Sequence, residues 1–401
     1  MKIGIIVGSI NPHRGGESTI TRTIIDEINN NPNVNDDEYV FLYISDKSNH
    51  YSTLINGYKF ICINKCCGIS SLLLNGFIDS LGGGSNRFFT LDKIAKKEQI
   101  DMFYFAAPLF ARTSLPYIFT VWDLGHRTML YSPEVSKEDW GYREKMYNTM
   151  LPRATFIITG NNQGKSELLQ YYKLDENRIK IVPFPLSISC FCEETKPDFI
   201  DDNPFYFYPA QFWPHKNHIC ILDALVILRE KYNLSPKFYF TGSDKGNRTY
   251  IDSQISKKHL EDQVKITGYI SDSELNYLYT HAEAMVFASL MGPNNLPPLE
   301  AIYHKCPVII SDIPGHKEQM GNAALFFDGN NPFELAEKMH DVLFNDQLKN
   351  DLRIKSDFFR EKLDDYDYFS EIIILINDIR KTLHLWTESD HTNIKEHEKQ
   401  E

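Results

Sequence analysis

The sequence has few cysteines, no long apolar segment and no excess of positive charge. The seven cysteines among 401 residues are an odd number at irregular spacing, and no pair of CxxC units occurs. This usage favours reduced thiols over a disulfide framework or a zinc site. No apolar run approaches the roughly 18 residues of a membrane-spanning helix, and the N-terminus MKIGIIVGSI lacks a cleavage site of small residues. We therefore expect a soluble, cytoplasmic protein.

The formal net charge of −12 counts against nucleic acid as a partner. A protein that displaces counterions from phosphates needs a basic surface, and broad attraction to anionic lipid needs one too. The remaining composition, 42% hydrophobic and 24% charged, is typical of globular proteins. At 401 residues the chain exceeds one ordinary core, so the length favours two domains.

Short β-branched runs alternate with helical stretches along the chain, which is typical of βαβ units and parallel sheets. The predicted strands are Ile3–Val7, Met102–Ala106, Thr155–Thr159, Ile179–Val182, Phe205–Tyr208, Lys237–Thr241, Val264–Thr267, Ala284–Ala288, Val308–Ser311 and Ala324–Phe327. A proline-rich stretch without helical periodicity predicts a linker near residues 186–203. The pattern predicts an α/β fold of two doubly wound, Rossmann-like domains facing a cleft.

The predicted units are residues 1–190, residues 191–368, a C-terminal helix over 369–385 that could cross back to the first domain, and a polar tail over 386–401. Residues 45–90 give the weakest pattern. Their run Gly82, Gly83 and Gly84 indicates a turn rather than a phosphate cradle.

The segment VFASLMGPNNLPPLEAIYHKCPVIISDIPGHKE, residues 286–318, predicts a strand, a loop, a helix and a second strand. Pro297 and Pro298 suit a first helical turn, and Asn294 and Asn295 are candidate caps. Free amides at this helix start would suit an anionic diphosphate at the edge of a parallel sheet. Glu300 could bind a ligand there, or it could only complement the dipole of its own helix.

A second candidate is Lys216 in the segment PAQFWPHKNH, which follows a predicted strand. A lysine between that strand and a helix beginning near His218 can place an ammonium against departing phosphate oxygens. The alternative is an ordinary solvated loop lysine. Asp365-Tyr366-Asp367 matches a DxD pattern, but it lies in a charged helical region away from any strand end, so no metal site is expected there.

Together, PAQFWPHKNH, TGYISDSEL and GPNNLPPLEAIYHKCPVIISDIPGHKEQMGNAALFFD resemble the C-terminal half of glycosyltransferase family 4, whose members are retaining enzymes of the GT-B fold. The resemblance runs from about residue 205 to 345. It is looser in the first half, where Gly15-Gly16, PYIFTVWDLGHR and ATFIITGNNQGKSELLQYY carry it.

The resemblance implies a nucleotide-sugar donor held by the C-terminal domain and an acceptor on the N-terminal side. Glu300 matches the second glutamate of the family's E-x7-E motif, a ribose ligand, and Lys216 matches a phosphate-contacting lysine. Asn295 and Leu296 fall in the loop beside the diphosphate and sugar, Tyr269 beside the base, and Gly16, with Gly15, in a loop over the donor. Asp123 and His126 are candidates for orienting a substrate, with a helix cap and a packed histidine as the alternatives.

Three departures separate the chain from the usual family pattern. Gly292 stands where the first glutamate of the motif is expected, and Gln211 stands where an arginine commonly precedes the lysine. Trp122 replaces the histidine of an HD pair that Asp123 completes. We interpret these as variation within the family, in which a GPNNLPPLE form of the motif occurs.

The resemblance therefore implies a metal-independent, retaining transfer of a hexose-type sugar to a glycan or lipid-linked acceptor in surface polysaccharide synthesis. No cofactor is expected beyond the donor substrate, and a lipid-linked acceptor would bring the protein to the inner face of the membrane. Two alternatives remain open: a sugar-nucleotide epimerase of the same fold, and a catalytically silent glycan-binding relative. Donor base, sugar, linkage and oligomeric state are left open.

Overall fold

A computed structural model describes residues 1–10, 15–30, 37–44, 58–63, 87–136, 140–201, 203–364 and 366–383. The Gly82–Gly84 run, Asp365 of the DxD pattern and the 386–401 tail lie outside these ranges.

The described strands are β1 Lys2–Ile6, β2 Glu38–Tyr43, β3 Lys59–Cys62, β4 Met102–Phe105, β5 Tyr117–Thr120, β6 Phe156–Thr159, β7 Ile179–Ile181, β8 Phe205–Pro209, β9 Lys237–Thr241, β10 Val264–Gly268, β11 Ala284–Phe287, β12 Val308–Ser311 and β13 Leu325–Phe327. The helices are α1 Gly16–Asn30, α2 Arg87–Glu98, α3 Gly125–Thr128, α4 Pro133–Ser136, α5 Trp140–Met150, α6 Asn162–Tyr171, α7 His218–Tyr232, α8 Arg248–Lys257, α9 Asp272–His281, α10 Leu296–Tyr303, α11 Pro314–Met320, α12 Pro332–Phe344, α13 Asp346–Asp364 and α14 Tyr368–Leu383.

The strands form two separate parallel sheets. The first has the order β3-β2-β1-β4-β5-β6-β7 and the second β10-β9-β8-β11-β12-β13. All their pairings are parallel. The expected α/β architecture of two Rossmann-like domains is confirmed. In each sheet the strand order reverses beside its first strand, and ligands of such sheets bind at that switch point.

Every strand predicted from the sequence is present, with ends displaced by at most a residue or so. These predictions are correct because strands such as β4, β11 and β12 are buried at every position. Parallel strands that lie between helical layers are typically buried in this way. The sequence pattern misses β2, β3 and β5. Strand β3 lies at a sheet edge, and its four residues fall in the stretch whose pattern is weakest.

Helix α14 packs against the N-terminal sheet. Its buried apolar residues share one cluster with residues of β1 and β4, and the hydroxyls of Tyr104 and Tyr368 are 2.7 Å apart in the interior. Arg380 of this helix pairs with Asp37 beside β2. The chain therefore ends its described part on the domain where it began. The domain limits at residues 190, 368 and 385 stay a prediction.

Candidate functional site

A cleft of about 410 Å³ lies between the two sheets, at the carboxyl ends of their strands. Its floor includes the loops after β8 and β11, the neighbouring strands at the switch point of the second sheet. Almost all of the candidates from sequence line it: Gly15, Gly16, Asp123, Lys216, Tyr269, Asn295, Leu296 and Glu300.

Lys216 ends a 3₁₀ turn, Pro214–Lys216, between β8 and α7. Its Nζ lies 3.3 Å from the Ser289 Oγ and 3.3 Å from the Asn295 Oδ1, over the ring of Phe287. Burial lowers the pKa of Lys216 to about 8, and the charge of Asp123 opposes this shift. The ammonium therefore faces the cleft with two neutral oxygen partners, so it is available to an anion.

A chain of hydrogen bonds fixes the orientation of Asn295. The Nδ1 of His316 is 2.9 Å from the carbonyl of Ser311, which makes Nδ1 the donor and leaves Nε2 as an acceptor. Asn295 Nδ2 donates to that Nε2 at 2.9 Å. Burial lowers the pKa of His316 to about 4, so the ring is neutral at pH 7. Consequently Asn295 presents its side-chain oxygen, Oδ1, to the ammonium of Lys216.

Asn295 occupies the N-cap position of α10 by its backbone, but its side chain makes no capping bond. Its backbone N–H donates to Gln319 Oε1 at 3.1 Å, and Gln319 Nε2 donates back to its carbonyl at 2.6 Å. Pro297 and Pro298 occupy the first turn, as expected. Proline lacks an N–H, so fewer amides of this helix start are available to a diphosphate than the sequence interpretation implied.

Glu300 is the fifth residue of α10, beyond its first turn. The carboxylate is buried at the cleft and accepts a hydrogen bond of 2.8 Å from the Tyr279 hydroxyl. Burial raises the pKa of Glu300 to about 7, against the effect of the Tyr279 bond. Because a charge one turn inside a helix gains little from the dipole, the helix-dipole alternative loses its main support.

Gly292 has φ +117°, a conformation that L-residues rarely adopt. A Cβ there would lie 2.7 Å from Asn295 Nδ2. Gly292 therefore leaves room for the side chain of Asn295 to fold over this loop, and a glutamate at position 292 would occupy that room.

The opposite wall of the cleft is the start of α1. Gly15 has φ +66°, and its carbonyl accepts from the N–H of Ser18 at 2.9 Å. A Cβ at Gly15 would lie 3.1 Å from Gln211 Nε2, whereas a Cβ at Gly16 would meet open space. The N-terminal end of a fifteen-residue helix therefore faces the cleft opposite Gln211.

Asp123 lies in the cleft wall and is tied by Oδ1 to Arg143 Nη2 at 2.6 Å and to the Gly125 N–H at 2.7 Å. Burial raises its pKa, but Arg143 and these hydrogen bonds outweigh burial, so the pKa lies below the usual range. His126 is fully buried outside the cleft lining, 3.2 Å from the Tyr172 hydroxyl, and burial lowers its pKa to about 4. Its burial outside the cleft lining favours the packed-histidine alternative.

The far end of the cleft lies under Tyr269, which follows β10 and is 46% exposed. Asp272 begins α9, whose start is fixed by a capping box between Ser271 and Glu274. Across the cleft, Arg22 of α1 lies 3.5 Å from Asp272. The sequence interpretation singled out neither Arg22 nor Asp272.

Several contacts between the two domains were also missed. Glu318 accepts from the backbone N–H groups of Asn162 and Gln163 at 2.7 and 2.9 Å, at the N-terminus of α6. Asn161 Nδ2 donates to the Pro293 carbonyl at 2.5 Å. The pattern GNNQGK does signal a helix start, but sequence gives no sign that the other domain supplies its carboxylate.

Among the residues that the structure describes, no group of three or more His, Cys, Asp or Glu side chains is arranged to hold a metal ion. Within the same ranges, no helix combines the length and apolar character needed to cross a membrane.

Solved structures share this architecture of two parallel sheets. The Anabaena protein Alr3699/HepE, solved in complex with UDP and glucose, superposes with a TM-score of 0.67 over 96% of this chain and 100% of that one, at 16% identity. The fold is GT-B. At this identity the likeness establishes the GT-B fold alone.

Sequence comparison adds a family match in the C-terminal domain. Residues 193–356 match the family model "Glycosyl transferases group 1". The O-antigen chain mannosyltransferase RfbU of Salmonella typhimurium is 25% identical over 177 residues, 43% of this chain and 47% of that protein. The serotype-specific mannosyltransferase WbdA of Escherichia coli is 42% identical over 147 residues, 35% of this chain and 17% of that protein. The chain therefore spans about half the length of RfbU and less of WbdA.

Proposed function

We propose that this GT-B protein is a glycosyltransferase that moves a hexose-type sugar from a nucleotide-diphosphate donor to a hydroxyl of a glycan or lipid-linked acceptor. The observation that carries the proposal is that Lys216, Asn295 and Glu300 line one cleft at the carboxyl ends of the strands of the C-terminal sheet. The start of α1 faces them across the cleft. This arrangement supports binding of a diphosphate between a cation and a helix N-terminus, with a buried carboxylate for hydroxyl groups.

In the proposed reaction the bond between the sugar C1 and the diphosphate oxygen breaks, and a bond from C1 to the acceptor oxygen forms. The acceptor proton leaves with the diphosphate. Lys216 stabilises the negative charge that develops on the leaving group, and the positive end of α1 adds to it. We propose retention of configuration at C1 and independence of metal, as the family resemblance implies.

The names of the relatives support a place in surface polysaccharide synthesis. RfbU is an O-antigen chain mannosyltransferase, and WbdA is a serotype-specific mannosyltransferase. We extend to this chain the transfer of a hexose to a growing polysaccharide. A lipid-linked acceptor would hold the enzyme at the cytoplasmic face of the membrane without a spanning helix.

Product analysis tests this function. The full chain is incubated with UDP-, GDP- and ADP-hexoses and a mixture of glycan and polyprenyl-linked acceptors, and products are followed by mass spectrometry. We expect an acceptor one hexose heavier together with a free nucleoside diphosphate. The one-bond C1–H1 coupling of the transferred sugar, read by NMR, should match the anomeric configuration of the donor. A changed sugar nucleotide in acceptor-free reactions would instead identify an epimerase. Absence of any product and of any nucleotide binding would overturn the proposal.

A further inference from the structure

The cleft has two chemically different ends. Its floor crosses the C-terminal sheet in the strand order β10, β9, β8, β11. Lys216 and Asn295 lie at the β8–β11 end, whereas Tyr269 and Asp272 follow β10. Glu300 reaches toward the second end, because its carboxylate accepts from Tyr279 of α9, the helix that Asp272 begins. If the diphosphate lies against Lys216 and a ribose against Glu300, the base of the donor falls beside Tyr269 and Asp272.

Asp272 and Arg22 are the charged pair at this end. Both line the cleft, one from each domain, and each side chain is about one third exposed. Their contact of 3.5 Å is long for a charge-assisted hydrogen bond, and an ion pair this exposed contributes little to stability. Both groups are therefore available to a ligand at low cost.

The chemistry of the pair matches one common nucleobase. An ionised carboxylate only accepts hydrogen bonds, and its two oxygens can take two parallel donors. Guanine presents two adjacent donors, N1–H and N2–H₂, beside the acceptor O6, and arginine is a regular partner of the O6 and N7 of guanine. Uracil presents one donor between two carbonyl oxygens, and adenine one donor beside an acceptor, so a carboxylate repels part of either edge.

We propose that the donor of this protein is a guanosine-diphosphate sugar, with Asp272 accepting from N1–H and N2–H₂, Arg22 donating to O6, and Tyr269 stacking on the base. The inference rests on the proposed function, because it assumes a nucleotide in this cleft. Aromatic side chains are effective stacking platforms for bases and do not select among them, so the selection falls to Asp272. HepE binds UDP, but at 16% identity it shares only the fold.

Calorimetric titration of the full chain with GDP, IDP, XDP and UDP tests the inference. We expect GDP to bind at least tenfold more tightly than UDP, and IDP, which lacks the 2-amino group, to bind several-fold more weakly than GDP. Asp272→Asn should lose at least tenfold in GDP affinity and prefer XDP to GDP, because the amide can donate to the O2 of xanthine while still accepting from N1–H.

Asp223→Asn is the matched control. Asp223 is 35% exposed and pairs with Lys258 at 2.6 Å outside the cleft lining, so its replacement should leave all four affinities unchanged. Thermal unfolding of both variants checks their fold. Equal GDP and UDP affinities, or an Asp272→Asn protein with the wild-type preference, would overturn the guanine assignment while leaving the proposed function intact. If no nucleoside diphosphate binds, the proposed function fails together with the inference.

Discussion

Glu300 is a buried carboxylate, and its effect on the stability of the fold can be measured separately from its effect on donor binding. Its pKa is raised to about 7 by burial, so the folded state holds the proton more tightly than the unfolded state does. The contribution of Glu300 to stability is therefore fully present at acidic pH and is lost as pH rises from the ordinary carboxyl pKa through about 7. Glu300→Gln removes this dependence and keeps a partner for the Tyr279 hydroxyl.

We predict that Glu300→Gln is more stable than the wild type at pH 8, by on the order of 1–2 kcal/mol, yet binds the donor at least tenfold more weakly. Urea unfolding at pH 5 and pH 8, with donor titrations, provides the measurement. Glu300→Ala should likewise fold and lose donor affinity. Unchanged donor affinity in both variants would assign Glu300 to the fold alone.

Lys216 gives a second pH dependence, which concerns donor affinity at alkaline pH. Its lowered pKa of about 8 means that the free protein loses this charge as pH rises through about 8. We predict that donor affinity falls above that pH in the wild type, and that Lys216→Arg extends binding to higher pH because arginine stays protonated. Titrations from pH 6 to pH 10 check this. The same alkaline loss of affinity in both proteins would show that another group titrates.

Gly292 offers a test of why the first glutamate of the motif is absent. Gly292→Glu would restore the family pattern, but its Cβ collides with Asn295 at 2.7 Å and its backbone has φ +117°. We predict that Gly292→Glu weakens donor binding, because Asn295 is displaced from Lys216. Gly246→Ala is the control, since Gly246 has φ +94° but open space around its Cβ. Stronger donor binding by Gly292→Glu would show that the loop accepts the usual motif.

At the scale of elements, helix starts contribute both to the cleft and to the contacts between domains. Glu318 of α11 sits at the N-terminus of α6, where a carboxylate gains typically 0.3–1 kcal/mol from the helix dipole. We predict that Glu318→Gln loosens the contact between the domains. The distribution of distances between fluorophores placed on the two sheets should then become broader. Glu337→Gln, which alters a surface pair with Lys231, should leave that distance unchanged. A distance distribution unaffected by Glu318→Gln would show that this contact does not hold the two domains together.

The sequence predicts the elements of the cleft better than it predicts their mutual geometry. Buried runs such as VIIS of β12 can be assigned because three of its four residues are apolar and β-branched, and the prolines before Glu300 mark a helix start. The contact of Asp272 with Arg22 joins residues 250 positions apart, and the sequence around either residue gives no sign of it. His126 illustrates the converse, since proximity to Asp123 in sequence does not place its ring in the cleft.

At the scale of the whole molecule, α14 ties the end of the described chain to the N-terminal sheet. Ile376 is fully buried in that cluster, whereas Ile374, on the same helix, is 53% exposed. We predict that Ile376→Ala destabilises the N-terminal domain by about 2–5 kcal/mol and that Ile374→Ala has little effect. Hydrogen exchange should show the loss of protection in β1 and β4 with β8 and β11 unaffected. Equal effects of the two substitutions would contradict this packing.

We propose above all that the cleft between the two sheets binds a sugar nucleotide through Lys216. Thermal unfolding of the wild type and Lys216→Met, with and without saturating GDP-, UDP- and ADP-sugars, tests it most directly, because a ligand that binds only the folded state raises its stability. We predict a rise in the unfolding midpoint of the wild type with at least one donor and a much smaller rise in Lys216→Met. No shift with any donor, or equal shifts in the two proteins, would contradict the claim.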